Sequence, residues 1–416
     1  MKLARAGSVP SDGPVRRLSP WRFVMVFGGV SLLMDYVYEG ARSITGPLLA
    51  HLGASAAVVG VVTGAGEAAA LGLRLVSGPL ADRSRRFWAW TIAGYMLTAA
   101  SVPVLGLTGV LWVACTLVVA ERVGKAVRSP AKDTLLSHAT AATGRGRGFA
   151  VHEAMDQVGA LLGPLTVAGV LALTGDDYAP ALGVLALPGV AAIALLLWLR
   201  ARVPDPIAYE TDAGSPAPRT RPLGEPQDSR LPQSFWAYAA FTAATLTGFA
   251  TFGVLSYHLV TRHLMAAATV PVLYAAAMAA DALAALATGW LYDRVGARVL
   301  VVLPLLSAAV PALAFTNTVG IAVVGALTWG AAVGVQESTL RATVADLVPT
   351  GRRATAYGVF AGIMGATALA GGALTGVLYD VSVPILVIVV AGIQAAALAL
   401  LWTTRAARSG RRISPP

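Results

Sequence analysis

Gly78-Pro-Leu-Ala-Asp82-Arg83-Ser-Arg85-Arg86 and Gly289-Trp-Leu-Tyr-Asp293-Arg294-Val-Gly296-Ala-Arg298 are two versions of one short charged pattern, each set between long apolar runs. A charged hairpin repeated at the same point of two hydrophobic series marks a duplicated membrane bundle, and such bundles move solutes. The repeat extends further along the chain. Arg128 and Asp133 are matched by Arg341 and Asp346, and both matches have the same offset, since 341 − 128 and 346 − 133 both equal 213. Each pair precedes a basic cluster, Arg145 with Arg147 and Arg352 with Arg353, that opens a glycine-containing run.

The composition requires the same solvent. Of the 416 residues 56% are apolar and 12% charged, and the mean hydropathy is +0.69, which a water-soluble domain of this length does not show. Apolar runs of roughly 20 residues recur throughout, and in hydrocarbon a helix satisfies its own backbone within one segment. The fold class expected is an all-α membrane protein of twelve transmembrane helices in two pseudo-symmetric halves. The runs lie near 21–40, 54–77, 88–107, 109–127, 148–173 and 180–200, then 233–256, 267–288, 299–317, 319–340, 354–378 and 382–403. The domain boundaries follow: a tail over 1–20, a half over 21–200, a linker over 201–232, a half over 233–403 and a basic tail over 404–416. The linker holds seven prolines with Asp, Glu, Gln and Arg, so it is an extended tether.

The formal net charge of +10 is spread over alternate loops rather than gathered on one face, which argues for topology and against a nucleic-acid partner. Arg42 and Arg262 alone fall in loops of one side, against the other basic clusters on the opposite side. Both termini and the linker are therefore expected in the cytoplasm, with anionic lipid head groups beside the basic loops. Residues 1–20 lack the apolar core of a secretory leader, so the first run is retained. Twenty-eight Arg against three Lys suggests a GC-rich bacterial genome and an inner-membrane location.

The sequence argues against enzymatic chemistry. Cys115 is the one cysteine and lies in an apolar run, which excludes a disulfide framework and a thiolate metal site. The five histidines, at 51, 138, 152, 258 and 263, lack metal-ligand spacing. Gly124-Lys125 has no upstream glycine of a phosphate loop, and no nucleophile-elbow sequence occurs. No cofactor or metal is expected, and the energy source is an ion gradient.

On these motifs the chain resembles the major facilitator superfamily from Asp35 to Asp380. The paired Gly-x-x-x-Asp-Arg hairpins are similar to that superfamily's signature loop, which implies gating latches at Gly78, Asp82, Arg83 and Arg86, and at Gly289, Asp293, Arg294 and Arg298. Arg128, Asp133, Arg341 and Asp346 are implied as further latch residues. Such loops hold the halves together in one state and release them in the other. The glycines are expected to permit a tight turn, the carboxylates to accept bonds from a helix N-terminus, and the arginines to pair across the seam. Arg85 stands where the first copy should have its second glycine. The stretches Glu121 to Pro130, His152 to Gly159 and Gln336 to Arg341 resemble a bacterial efflux-permease branch. Gly159-x-x-x-Gly163-Pro164 resembles the packing signature of drug antiporters, where small residues bring helices close. Val167 and Ala168 replace that signature's later glycines, and Val118 fills the place expected for an arginine.

Ionisable residues at membrane depth carry the mechanism, because an unpaired charge there is costly. Asp35 falls about 14 residues, roughly 20 Å, into the first run and has no local partner, which makes it the first proton-carrier candidate; a hydrogen-bonded helix contact is the alternative. Glu39 has Arg42 at i+3, the spacing of a structural salt bridge. Glu67 is mid-membrane and faces the bundle, whereas Arg74 is read as a snorkelling anchor. His152, Glu153 and Asp156 share one helical face, as a proton relay or as a packing network with Arg122, Lys125 or Arg128. Asp281 stands alone, and Glu337 with Arg341 forms an i, i+4 pair. Phe241, Phe249, Phe252 and Tyr257 are cavity candidates on the seventh run, which by the resemblance lines the cavity with the first, fourth and tenth.

The function expected is alternating-access transport, as proton-coupled export of a small amphipathic organic molecule by a monomer. An importer or uniporter of a sugar, carboxylate or siderophore-like solute is the alternative, and a polytopic membrane sensor is the rival from another class.

Overall fold

The computed structural model describes residues 18–212, 231–349 and 352–410. Of the two expected tails, residues 1–17 with Arg16 and Arg17, and 411–416 with Arg412, lie outside the described residues, as does most of the linker, whereas 404–410 continue the last helix rather than forming a separate tail. The side chains of Arg145 and Arg405 lie outside the described residues too.

Every regular element among the described residues is a helix. The first half comprises α1 (Pro20–His51), α2 (Ala56–Gly72), α3 (Arg74–Ser84), α4 (Phe87–Leu107), α5 (Leu111–Thr143), α6 (Arg145–Thr174), α7 (Tyr178–Gly183) and α8 (Ala186–Arg202), followed by the short α9 (Ile207–Asp212). The second comprises α10 (Gln233–Thr247), α11 (Phe252–Thr261), α12 (Val270–Val295), α13 (Val302–Ala314), α14 (Val319–Leu347), α15 (Arg353–Val381) and α16 (Val383–Gly410). Taking α2 with α3, α7 with α8 and α10 with α11 as broken single spans, twelve spans result. Ten stretches of the described residues are helices long and apolar enough to cross a membrane, and one of them, 267–314, runs over two helices. The remaining span, α5, falls short on composition because it carries Glu121, Arg122, Lys125, Arg128, Lys132 and Asp133, of which Glu121, Arg122 and Arg128 are buried. The outer surface is apolar instead: Leu173, Leu187, Leu286 and Ile388 are largely exposed, as a bundle facing hydrocarbon requires.

Several spans outrun their expected boundaries. The first runs to His51 rather than residue 40, beginning at Ser19, whose hydroxyl accepts from the Arg22 N–H, with Pro20 in the first turn. The fourth continues to Thr143 rather than ending near 127, so Arg128 is a helix-interior residue. In the seventh, Gly248 ends α10 and Thr251 restarts α11 by accepting from the Val254 N–H.

The hydrophobic core divides unequally. With the terminus side defined as the side where α1 begins and α16 ends, one cluster at the far side unites both halves: Val37, Ile44 and Val59 pack with Phe252, Tyr274 and Trp329. On the terminus side each half has its own core, Phe23, Phe27, Trp88 and Leu196 in the first and Phe235, Phe241, Leu303 and Phe360 in the second. The halves are therefore sealed at the far side, whereas at the terminus side their cores are separate and Leu75 of α3 meets α15 at Gly358 and Gly362.

The seal is built from backbone as well as side chains. A Cβ on Gly60 of α2 would collide with the Gly372 carbonyl oxygen of α15, so glycine is what allows this contact. The Asp380 carboxylate, in the last turn of α15, accepts from the Ala56 and Ala57 N–H groups at 3.2 and 2.9 Å, at the start of α2. Asp176, just past α6, accepts from the Ala268 N–H at 3.0 Å, before α12. These two contacts are pseudo-symmetric: each half's carboxylate satisfies orphan donors of the other half's helix start.

Candidate transport cavity

A cavity of about 270 Å³ lies between the halves. The first half lines it with Tyr38, Arg42, Thr63, Glu67, Arg74 and Lys125, the second with Phe249, Phe252, Trp329, Gln336, Glu337 and Arg341. A second cavity, of about 400 Å³, lies against α3, α14 and α15 and shares Leu71, Arg74, Arg341 and Met364 with the first. It extends the site toward the terminus side.

The far end is closed by rings. Trp329 lies 5.2 Å from Phe252 and 6.4 Å from Phe249 between ring centroids. Its indole N–H donates to the Ala250 carbonyl at 2.9 Å, in the break between α10 and α11. That break turns backbone acceptors toward the cavity wall and fixes the ring.

The first-half wall carries a connected charge network. Glu67 Oε1 receives Arg42 at 3.0 Å and Arg122 at 3.2 Å; Arg42 also reaches Glu39 at 3.6 Å, and Arg122 reaches Glu121 at 3.3 Å. Glu39 accepts in addition from the Tyr274 hydroxyl across the seam. Arg122 and Lys125 stack on the Tyr38 ring at 4.5 and 4.0 Å. Deeper toward the terminus side, Arg128 lies 3.8 Å from Asp35, donates to Thr98 Oγ1 at 3.1 Å and covers the Tyr95 ring at 4.7 Å. A third cluster joins Asp156 to Lys132 at 3.6 Å and to His152 at 3.4 Å, with His152 Nε2 2.8 Å from Ser31 Oγ. Pairing of this kind is what makes charge tolerable at such depth.

Several sequence expectations change at this point. Asp35 is not partnerless: Arg128, which local spacing does not relate to it, is brought over by the length of α5. Asp35 is also the sixteenth of 32 residues in α1, at its middle rather than toward the outside. Arg128 is buried, so it is no loop latch. Glu39 makes the expected pair with Arg42, and Glu67 faces the bundle, engaging two arginines of other helices. Arg74 lines both cavities instead of snorkelling. Glu153 is exposed and separate from His152 and Asp156, and the cation that meets Asp156 is Lys132 rather than Arg122, Lys125 or Arg128. Glu337 and Arg341 both line the cavity without an ion pair between them. Phe249 and Phe252 line the cavity; Phe241 is buried against Tyr238, and Tyr257 packs on Tyr379.

The hairpins also differ from expectation. Gly78 and Gly289 lie inside α3 and α12 and make no turn. The turns occur at Arg85, with φ 51°, and at Gly296, with φ 62°, so Arg85 takes the left-handed conformation where the pattern has glycine. Asp82, Arg83, Arg86, Asp133, Asp293 and Arg298 are exposed, and among the described residues none has an ion pair. Arg294 stacks on Trp290 at 3.6 Å, and Asp346 accepts from the Tyr292 hydroxyl at 2.8 Å within its own half. Gly159 and Gly163 let α6 meet the α1 backbone, where a Cβ would collide with the Leu32 and Tyr36 carbonyl oxygens; Pro164 follows inside α6. Asp281 is buried in α12 beside Gly334 of α14.

The residues not anticipated from sequence are Trp329, Tyr274, Lys132, Asp176 and Asp380. All act across helices distant in sequence. A carboxylate at the end of a span was the one visible signal for the last two.

Comparison with known proteins identifies this architecture. A family model described as Major Facilitator Superfamily matches residues 27–280 and 259–415. The chain belongs to the major facilitator superfamily. It is 66% identical over 394 residues to an uncharacterized protein of Mycobacterium tuberculosis (strain ATCC 25618 / H37Rv), covering 94% of this chain and 95% of the other. An uncharacterized MFS-type transporter of Methanocaldococcus jannaschii is 29% identical over 140 residues, 34% of this chain and 35% of the other. Among solved structures, the nucleoside transporter NupG aligns with TM-score 0.68 at 14% identity, covering 92% of this chain and 98% of the other. A bacterial homologue of the human lysosomal transporter Spinster, inward-facing and unoccupied, aligns with TM-score 0.65 at 14% identity, covering 95% and 96%. A POT family transporter in complex with a thioalcohol-conjugated peptide aligns with TM-score 0.71 at 13% identity, covering 92% and 96%. At such identities these likenesses concern the fold. As a member of the superfamily the chain is a multi-pass membrane transporter.

Proposed function

We propose that this chain is a secondary active transporter of the bacterial inner membrane, with cytoplasmic termini, working by alternating access as a monomer and exporting a small amphipathic organic molecule in exchange for protons. The observation that carries the reading is the division of the core: one shared cluster at the far side, two separate ones at the terminus side, and a cavity between them. With the termini in the cytoplasm this is an inward-open arrangement. The unpaired hairpin charges are then latches in their released state.

Asp281 is the favoured proton site on structural grounds. It is 5% exposed, its Oδ1 has no hydrogen-bond partner and no cation among the described residues pairs with it. A lone charge so placed is expensive, and proton uptake removes that cost. Asp35, Glu67 and Asp156 already have cations, so each would release a proton only when its pair reforms. The aromatic far wall suits an apolar body and the charged near wall a polar group, which supports an amphipathic substrate. The test is flux from loaded proteoliposomes under an imposed pH gradient. Export is expected to stop when the gradient is collapsed and, in Asp281→Asn, to lose its pH dependence while the variant still exchanges substrate. Gradient-independent flux, or an unchanged pH profile in that variant, defeats the coupling assignment.

A further inference from the structure

The cavity's cations outnumber the carboxylates available to them. Arg42 is engaged by Glu39 and Glu67. Arg74, Lys125 and Arg341 line the same cavity, and no carboxylate among the described residues lies within ion-pair distance of any of them. Arg74 Nε is buried without a hydrogen-bond partner. Against these three stands one lining carboxylate that is also unpaired, Glu337. Even if Glu337 neutralised one cation, two would remain. Arg74 and Arg341 come from opposite halves and both line the junction of the two cavities, so like charges face each other across a gap that no described residue fills. Guanidinium groups present a planar fork of donors matched to carboxylate and phosphate oxygens, and the opposite wall offers the rings of Phe249, Phe252 and Trp329.

We propose that the substrate is an organic anion, a carboxylate or phosphate on a flat apolar body, whose charged group bridges Arg74 and Arg341 with Lys125 beside it while its body rests against the Trp329 wall. The inference rests on the transport reading above and narrows its amphipathic molecule to one sign of charge. It also gives Arg74 and Arg341 a shared role, because an anion held by both draws the two halves together at the terminus side, which is the closing movement of the cycle.

The full chain, purified in detergent, is equilibrated with radiolabelled indole-3-acetate, indole-3-acetamide or tryptamine, three probes of one ring and different charge. Indole-3-acetate is expected to bind at least tenfold more tightly than the other two. Arg74→Gln and Arg341→Gln should each weaken it tenfold or more, and Arg74→Lys should recover part of the loss. Equal or tighter binding of tryptamine or the amide, binding of no probe, or unchanged binding in both glutamine variants overturns the proposal. So does displacement by phosphatidylglycerol of a probe that excess unlabelled indole-3-acetate leaves in place, which would assign the cations to a lipid head group. Arg341 is exposed, so its variant keeps the test open should Arg74→Gln fail to fold. Spin labels at the exposed far-side positions, through His51→Cys and Arg262→Cys, separate the two levels. A distance between them that changes with an imposed pH gradient while probe preference fails removes only the anion assignment; a fixed distance removes the transport reading beneath it.

Discussion

The inner faces of the two halves share a backbone and differ in chemistry. In the first half the cavity wall is an ion network spanning α1, α2 and α5, with Glu67 at its centre. In the second it is a stack of rings around Trp329, with Glu337 and Arg341 as separate charges. The offset of 213 makes the contrast concrete. Glu121, Arg122 and Lys125 of α5 correspond to Gly334, Val335 and Ser338 of α14. Gly334 lets α14 press on the α12 backbone at Asp281, a close approach that a glutamate would prevent. Arg128 is buried against Asp35, whereas its counterpart Arg341 is exposed at the cavity. Duplication thus placed corresponding positions on the two walls, and divergence gave one half the polar contacts and the other the apolar surface.

The largest expected effect tests this asymmetry at its centre. Glu67→Gln leaves Arg42 and Arg122 without their shared carboxylate, and a broken, largely buried pair costs about 2 kcal/mol or more. Glu337→Gln breaks no pair. In thermal unfolding of the purified protein Glu67→Gln should be markedly less stable and Glu337→Gln close to the parent, and comparable losses would erase the distinction between the walls.

The far-side caps come next, since each half supplies one. Removing a helix-capping carboxylate costs about 1 kcal/mol, enough to move a two-state balance roughly fivefold toward the far-side-open form. Asp380→Asn, which weakens two N–H contacts, should raise far-side accessibility of a reporter cysteine more than Asp176→Asn, which weakens one. The reverse order would mean that the seal is governed by the α6 and α12 seam.

The smallest effect belongs to the hairpin turns. Arg85→Gly should stabilise by about 0.5 kcal/mol, because a left-handed residue with a side chain is strained. Gly296→Ala should destabilise by about 1 kcal/mol or more at its φ of 62° and ψ of −151°, a region reserved for glycine. Equal and opposite shifts in melting temperature would show the two turns to be interchangeable; a neutral Arg85→Gly would show that Arg85 makes a compensating contact.

The legible part of the fold was what hydropathy and repetition encode. The twelve spans, the two halves and the superfamily were readable because hydrocarbon demands continuous apolar helices and because duplication leaves the Asp82 and Asp293 hairpins in register. Span ends were read less well where charge continues inside a helix, as in α5, because a hydropathy window treats an inward-facing Arg128 as a loop residue. At the site, Glu39 with Arg42 was legible at i+3, and Glu67 was readable as facing inward. The cations that meet Asp35 and Asp156 were not, since each depends on which helix packs opposite.

The sequence by itself determined the solvent, the helical class and the duplicated plan, because these follow from composition and period along one chain. Only the tertiary structure decided which charges neutralise one another, that Arg74 and Arg341 line one cavity with no ion pair among the described residues, and that Asp176 and Asp380 cap each other's halves. The reason is geometric: a carboxylate's partner at 3 to 4 Å is chosen by helix packing between residues as far apart as 324 positions, and no local spacing records that choice.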